Sequence, residues 1–194
     1  MNQMIADELR GDEKVLWEGQ PDQGIVFAKS DALLVPFSLL WGGFAIFWEL
    51  GAAGIVAVNQ KKVGPVGFIF PLFGIPFVLI GLYFIFGRFI VKKKKKAKTW
   101  YAVTNKRIII ATDFMGQKVE TVEISTLGSI SKSIRSDGFG TIAFGNTPML
   151  AGMYANTGME FFGGFYGPAA PTFFDIQNAA EVYKIVQDQR KGAA

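Results

Sequence analysis

The chain has 194 residues, half of them hydrophobic and 19% charged, with a formal net charge of +4 and neither cysteine nor histidine. Those two absences exclude disulfides, a thiol nucleophile, a Ser-His-Asp triad and zinc sites built from His or Cys, and with them most familiar hydrolytic chemistry; no metal, no cofactor and no enzymatic activity are expected. The basicity is local: Lys92, Lys93, Lys94, Lys95, Lys96 and Lys98 supply six positive charges, and without them the net charge is negative.

Residues 1–31 carry charges throughout, among them Asp7, Glu8, Arg10, Asp12, Glu13 and Lys14, and show no apolar run followed by a small-residue cleavage site. No cleaved signal peptide is expected, and the segment reads as a cytoplasmic N-terminal part. Residues 33–58 and 63–91 then form two apolar runs of 26 and 29 residues, interrupted by Asn59, Gln60, Lys61 and Lys62. About 20 residues span a hydrocarbon core of about 30 Å, so each run is long enough for a transmembrane helix. So short a connection makes the two helices antiparallel neighbours, and an even number of crossings leaves both chain ends on one side. The lysine run beside the second span marks that side as cytoplasmic by the positive-inside rule. Nucleic-acid binding is not expected from so compact a cation cluster.

Small residues punctuate both runs. Ser38, Gly42, Ala45, Glu49 and Ala52 recur at alternating spacings of four and three, and Gly67, Gly74 and Gly81 recur every seven, so each set occupies one helix face. Such faces are expected to meet, since close backbone approach is a main source of helix attraction in lipid. Glu49 is the one acidic residue within the two runs. It is read either as interfacial, if the first helix ends near Ala52, or as a proton- or ion-handling group. Folding the hairpin about residues 60 and 61 sets Glu49 opposite about residue 72, which places Arg88 too deep to be its partner; Arg88 is expected to snorkel to the inner headgroups. With Lys92, Lys93, Lys94, Lys95, Lys96 and Lys98, in a linker over residues 92–99, it forms a candidate contact for anionic lipid.

Beyond the lysines the pattern changes to short strands with turns. Residues 100–104 and 107–112 flank Asn105 and Lys106, a hairpin turn; residues 117–125, 130–134 and 141–144 continue an antiparallel meander. Ala179, Val182, Tyr183 and Val186 mark one stripe of a C-terminal helix, with Asn178 and Glu181 spaced as a capping box. Trp100 and Tyr101 are open between the headgroup level and the domain core. Residues 145–172 hold one charge, Glu160, with six Gly, three Pro, three Met and five aromatic residues. A further strand is expected around residues 159–162. Met149, Met153, Tyr154, Met159, Phe161, Phe162, Phe165 and Tyr166 are candidates for contact with lipid or a protein partner, the alternative being added core over the domain's open end.

Several stretches carry a resemblance: residues 11–21 (GDEKVLWEGQP), 36–49 (PFSLLWGGFAIFWE), 74–89 (GIPFVLIGLYFIFGRF), 101–110 (YAVTNKRIII) and 140–145 (GTIAFG). Together they resemble bacterial membrane-anchored proteins with a pleckstrin-homology-like (PH-like) domain. The resemblance implies a membrane α+β protein: an antiparallel two-helix transmembrane hairpin, and a cytoplasmic PH-like antiparallel β-barrel or sandwich over residues 100–191 with a C-terminal amphipathic helix. It also implies that a strand near residues 14–18 joins this domain across the membrane insertion. Lys106 and Arg107 are then candidate ligand contacts, weighed against two solvated turn cations. The expected role is a non-enzymatic binding or scaffold module at the inner membrane, engaging anionic lipid or an unknown protein, with homo-oligomerisation open. The competing role is a component of a transport or channel assembly that uses Glu49.

Overall fold

A computed structural model of the chain describes residues 2–24, 27–28, 30–59, 64, 67, 69–163 and 167–193, side chains excepted at 70, 162, 163 and 193. The chain divides into two compact units, Met1–Val26 with Val91–Ala194, and Phe27–Ile90.

The first unit is built on two antiparallel sheets. β1 (Val15–Gly19), β2 (Thr99–Thr104), β3 (Arg107–Asp113) and β4 (Gln117–Glu123) form one in sequential order; β5 (Ile130–Ile134), β6 (Gly140–Phe144) and β7 (Thr172–Ile176) form the other. The sheets stay separate, so the expected barrel is not closed. β1 pairs with β2 through Trp17↔Val103 and Gly19↔Tyr101, although 79 residues part Gly19 from Thr99 in sequence. The extended segment expected near residues 14–18 therefore completes a sheet whose other strands follow the apolar runs.

The sequence of β3, three isoleucines and an alanine in a row, departs from simple alternation because both faces are covered. Ile108 and Ile110 join Tyr101, Val103, Ile142, Phe144, Phe173 and Ile176 in a core between the sheets. Ile109 and Ala111, on the other face with Ala102, pack against Ile5 of α1 (Gln3–Glu8). That short helix is capped by Asn2, whose side chain accepts the Met4 N–H at 2.9 Å. A C-terminal helix, Ala179–Ala193, adds Ala179, Val182 and Val186 to the main core. Full burial of an Ile or Val side chain contributes about 1.5–3 kcal/mol, so these residues dominate the unit's stability. Asn178 departs from the expected cap: at φ +52° its backbone carbonyl, at 2.9 Å, accepts the Glu181 N–H.

Tyr101 lies in this core, stacked on Phe173 at 4.6 Å between centroids, with its hydroxyl accepting the Phe174 N–H at 3.2 Å. Burial pushes the phenol well above its ordinary range. Trp100 is half-buried beside the α1 cluster. Both are thus accounted for by packing within the unit.

The second unit is helical. α2 (Asp31–Val58) is followed by α3 (Ile69–Leu82), then by a π-helical turn (Tyr83–Gly87) that leads into α4 (Arg88–Ala97). Two helices, Asp31–Val58 and Pro71–Ala97, are long and apolar enough to cross a membrane, and only 22% of the most apolar window of each is buried. Phe47, 76% exposed, and Leu40, Leu50 and Leu79 face outward. The small-residue faces meet. A Cβ built on Gly81 would lie 2.8 Å from the Gly42 Cα, so a side chain there would force the backbones apart, whereas one on Gly74, 1.8 Å from Glu49 Oε2, would displace that carboxylate. Gln60, Lys61 and Lys62 of the short connection lie outside the described residues.

Candidate functional site

α4 replaces the expected linker over residues 92–99: the helix runs on through the lysines, and its faces sort the cations into different environments. Lys93, Lys94 and Lys98 are exposed and Lys95 is half-buried, whereas Arg88, Lys92 and Lys96 are buried. Burial takes Arg88, Lys92 and Lys96 out of the lipid contact expected of the whole set, and for these three residues the expectation is corrected.

Arg88 does not snorkel. Its guanidinium is fully buried, with Nη1 donating to Asp31 Oδ1 and Nε to the Phe84 carbonyl at 2.9 Å, and it lies over the Phe89 ring at 4.3 Å from the centroid. Asp31 accepts the Ala28 N–H at 2.7 Å through its other oxygen. Buried charge demands such a partner. Sequence reasoning missed Asp31 because it precedes the apolar run by two residues. The folding arithmetic that separates Arg88 from Glu49 was signal enough, since about residues 60 and 61 it sets Asp31 opposite residue 90.

Lys96 is held differently. Its ammonium lies 2.7 Å from Asp175 Oδ2, an oxygen that also accepts from Asn156 Nδ2 at 2.8 Å. Arg135 Nη1 stands 3.9 Å from the other carboxylate oxygen, and the Asp175 carbonyl accepts the Asp22 N–H at 2.7 Å. Asp175 sits at φ +50°, a left-handed conformation that Asp tolerates better than most residues. Asp175 thus ties the last turn of α4 and the 145–172 region to strand β7 through its carboxylate, and the N-terminal segment through its backbone carbonyl. Lys95 adds a looser contact to Glu160 at 3.8 Å.

The two turn cations are already engaged. Arg107 is buried and donates through Nε to Glu13 Oε1 at 2.9 Å and through Nη2 to Oε2 at 3.0 Å and to the Glu8 carbonyl. The Thr104 hydroxyl also donates to Glu13 at 2.6 Å. Burial pushes the Glu13 carboxyl upward, but hydrogen bonds from Arg107, Thr104 and the Arg10 N–H outweigh it and hold the value at about 2. Lys106, on the surface, pairs with Asp12 at 2.6 Å, and that bond lowers the Asp12 pKa. In place of a ligand-binding pair, these cations clamp the N-terminal segment onto the β2–β3 turn.

Residues 145–172 are neither a bare loop nor a strand around residues 159–162. They contain α5 (Met149–Tyr154) and α6 (Glu160–Gly163). Ala151, Thr157 and Met159 are buried, Met153 and Tyr154 are half-buried, and Met149 and Phe161 are exposed. The buried side chains fit the added-core alternative, and the exposed ones take no part in that core. Phe165, Tyr166 and the Phe162 side chain lie outside the described residues.

Glu49 is half-buried, with Oε2 shielded against Gly74 and without a hydrogen-bond partner among the described residues. The helix does not end near Ala52 but runs to Val58, nine residues or about 13 Å beyond Glu49, which removes the premise of an interfacial position. Among the described residues no group of three His, Cys, Asp or Glu could hold a metal ion. Comparison with family models, curated proteins and solved structures finds no match to the chain.

Proposed function

We propose that the chain is a membrane-anchored, non-enzymatic binding or scaffold module, with two spans and both termini on the cytoplasmic side of a bacterial inner membrane. One observation carries this reading: β1 precedes and β2 follows the two long apolar helices, yet the strands are hydrogen-bonded neighbours. If those helices cross a bilayer, the sheet requires an even number of crossings, so hairpin and folded unit are mutually consistent. Outward-facing Phe47, Leu40 and Leu79 suit a lipid environment, in which an apolar helix surface costs nothing to expose. Four and three antiparallel strands sharing a core with a final amphipathic helix support the PH-like reading of that unit. Exposed Lys93, Lys94 and Lys98 favour an anionic leaflet, contributing about 1 kcal/mol each near the surface. The partner recruited there is a protein or a lipid. A reporter after Ala194 and a tag inserted between residues 59 and 62 should lie on opposite faces of the membrane; both on one face would refute the topology.

A second reading is favoured by the shielded Glu49 Oε2, without a hydrogen-bond partner among the described residues: a transport assembly in which that carboxylate carries a proton or ion. Glu49→Gln separates the two, because it leaves a binding module's partner profile intact and abolishes a proton- or ion-dependent flux.

A further inference from the structure

We infer that the π-helical turn Tyr83–Gly87 is a two-position element, held open by Arg88 and latched by Asp31, which closes into ordinary α-helix when that pair is broken. The device lies wholly within the Phe27–Ile90 unit and operates whether the chain serves binding or transport. π-helical turns are rare, and inside α-helices they frequently mark functional sites. Such a turn moves a backbone N–H on by one carbonyl. Here the Arg88 N–H donates to the Tyr83 carbonyl, five residues earlier, where an α-helix would direct it to Phe84. The Phe84 carbonyl is served instead by the side chain of the same residue, Arg88 Nε, at 2.9 Å. Both residues are buried, where a carbonyl without a donor is costly. Arg88 thus makes both halves of the exchange, its main chain on Tyr83 and its guanidinium on Phe84.

The guanidinium is held in that place by α2. Nη1 donates to Asp31 Oδ1, and Asp31 is itself fixed by the Ala28 N–H at 2.7 Å. Arg88 Nη2 has no hydrogen-bond partner among the described residues, so the pair is one-pronged and lacks the second bond of the bidentate fork that strengthens many Arg–carboxylate pairs. Two glycines make room for the open turn. A Cβ built on Gly87 would lie 2.7 Å from Tyr83 Cδ2, and one on Gly42 of α2 would lie 2.7 Å from Ile85 Cδ1. Without Asp31 the buried guanidinium loses its counter-charge and is driven out of its place. The Phe84 carbonyl then lacks Nε, and the nearest donor is the Arg88 N–H, whose return closes the α-helical bond. Closure turns Arg88 by about 100°, one residue's rotation about the helix axis, off the side that meets Asp31. The open turn and the ion pair therefore stand or fall together.

Tyr83 and Arg88 are the one tyrosine–arginine pair five residues apart in the sequence, so ¹³C at tyrosine carbonyls with ¹⁵N at arginine amides isolates the π-helical bond. In the full chain reconstituted in lipid, dipolar dephasing by solid-state NMR should report a Tyr83 carbon to Arg88 nitrogen separation of about 4 Å, that of a hydrogen-bonded pair. Asp31→Leu should lose the dephasing while total helix content by circular dichroism stays the same. Asp31→Asn, close in shape but without charge, should lose it too and decides the matter where Asp31→Leu does not reconstitute. Asp31→Glu, which keeps the carboxylate, should retain it. Dephasing at the wild-type level in Asp31→Leu or Asp31→Asn would overturn the inference, as would its absence from the wild type. Loss of dephasing together with helix content would assign the pair to the fold as a whole, and would overturn it as well.

Discussion

Two buried arginine–carboxylate pairs occupy the two units, and their surroundings differ. Arg107 and Glu13 are joined by three hydrogen bonds, with Thr104, the Arg10 N–H and the Glu8 carbonyl filling remaining positions. Arg88 and Asp31 share one, and Arg88 Nη2 has no hydrogen-bond partner among the described residues. The first pair fastens a chain segment to the β2–β3 turn in a unit that builds an ordinary core. The second neutralises charge at the end of an apolar helix, where an unpaired ion has few other remedies. The comparison teaches that the same residue types serve attachment in one unit and tolerance of burial in the other.

The sharpest way to break that comparison is to remove one partner in the hairpin. Arg88→Leu leaves Asp31 buried without its cation and should cost about 3–5 kcal/mol, whereas Asp31→Leu with Arg88→Leu should be close to neutral. Thermal unfolding of the reconstituted protein reads both, and equal losses in the single and double variants would assign Arg88 some other role. The Glu13 pair is tested by acid. A folded value of about 2 against an ordinary 4.5 means that its contribution, on the order of 3 kcal/mol, is present above about pH 4.5 and is lost as pH falls through 2. Glu13→Gln should flatten that part of the stability profile; an unchanged acid limb would place the pH dependence elsewhere. Third comes packing between the hairpin helices. Gly81→Val should cost about 1–3 kcal/mol by prying the Gly42 contact open, seen as a lower midpoint in the same melts. The smallest effect is expected for Lys106→Ala, whose pair with Asp12 is exposed and screened by solvent, so the melting midpoint should scarcely move. A larger loss there would show that the surface cation shares in the Arg107 clamp.

Strands β2 to β6 and the C-terminal helix were legible because each carries a recognisable hydrophobic pattern, helped at the first hairpin by the turn residues Asn105 and Lys106. β7 was not, since Phe173 and Phe174 give no alternation and the segment trails a region rich in Gly and Pro. α1 and α6 are too short for a helical period to accumulate, so residues 159–162 read as a strand. In the candidate site, the lysine run was obvious but its sorting was not. Which of Lys92 to Lys96 turns inward depends on the helix continuing through Ala97 and on Asp175, a residue that lies 79 positions after Lys96 and becomes its neighbour only when β7 joins the second sheet. The clamp was invisible for a similar reason: Glu13 and Arg107 stand 94 residues apart.

The pairing of β1 with β2 carries a consequence for biosynthesis. β1 leaves the ribosome long before β2 exists, and both apolar helices must be made in between. During that interval the nascent first strand has no hydrogen-bonding edge to join, and Ile5, Val15 and Trp17 lack the surfaces that later cover them. Assembly of this sheet is thus chronologically coupled to delivery of the helices, and a chain arrested before Thr99 would keep its amino-terminal portion unfolded.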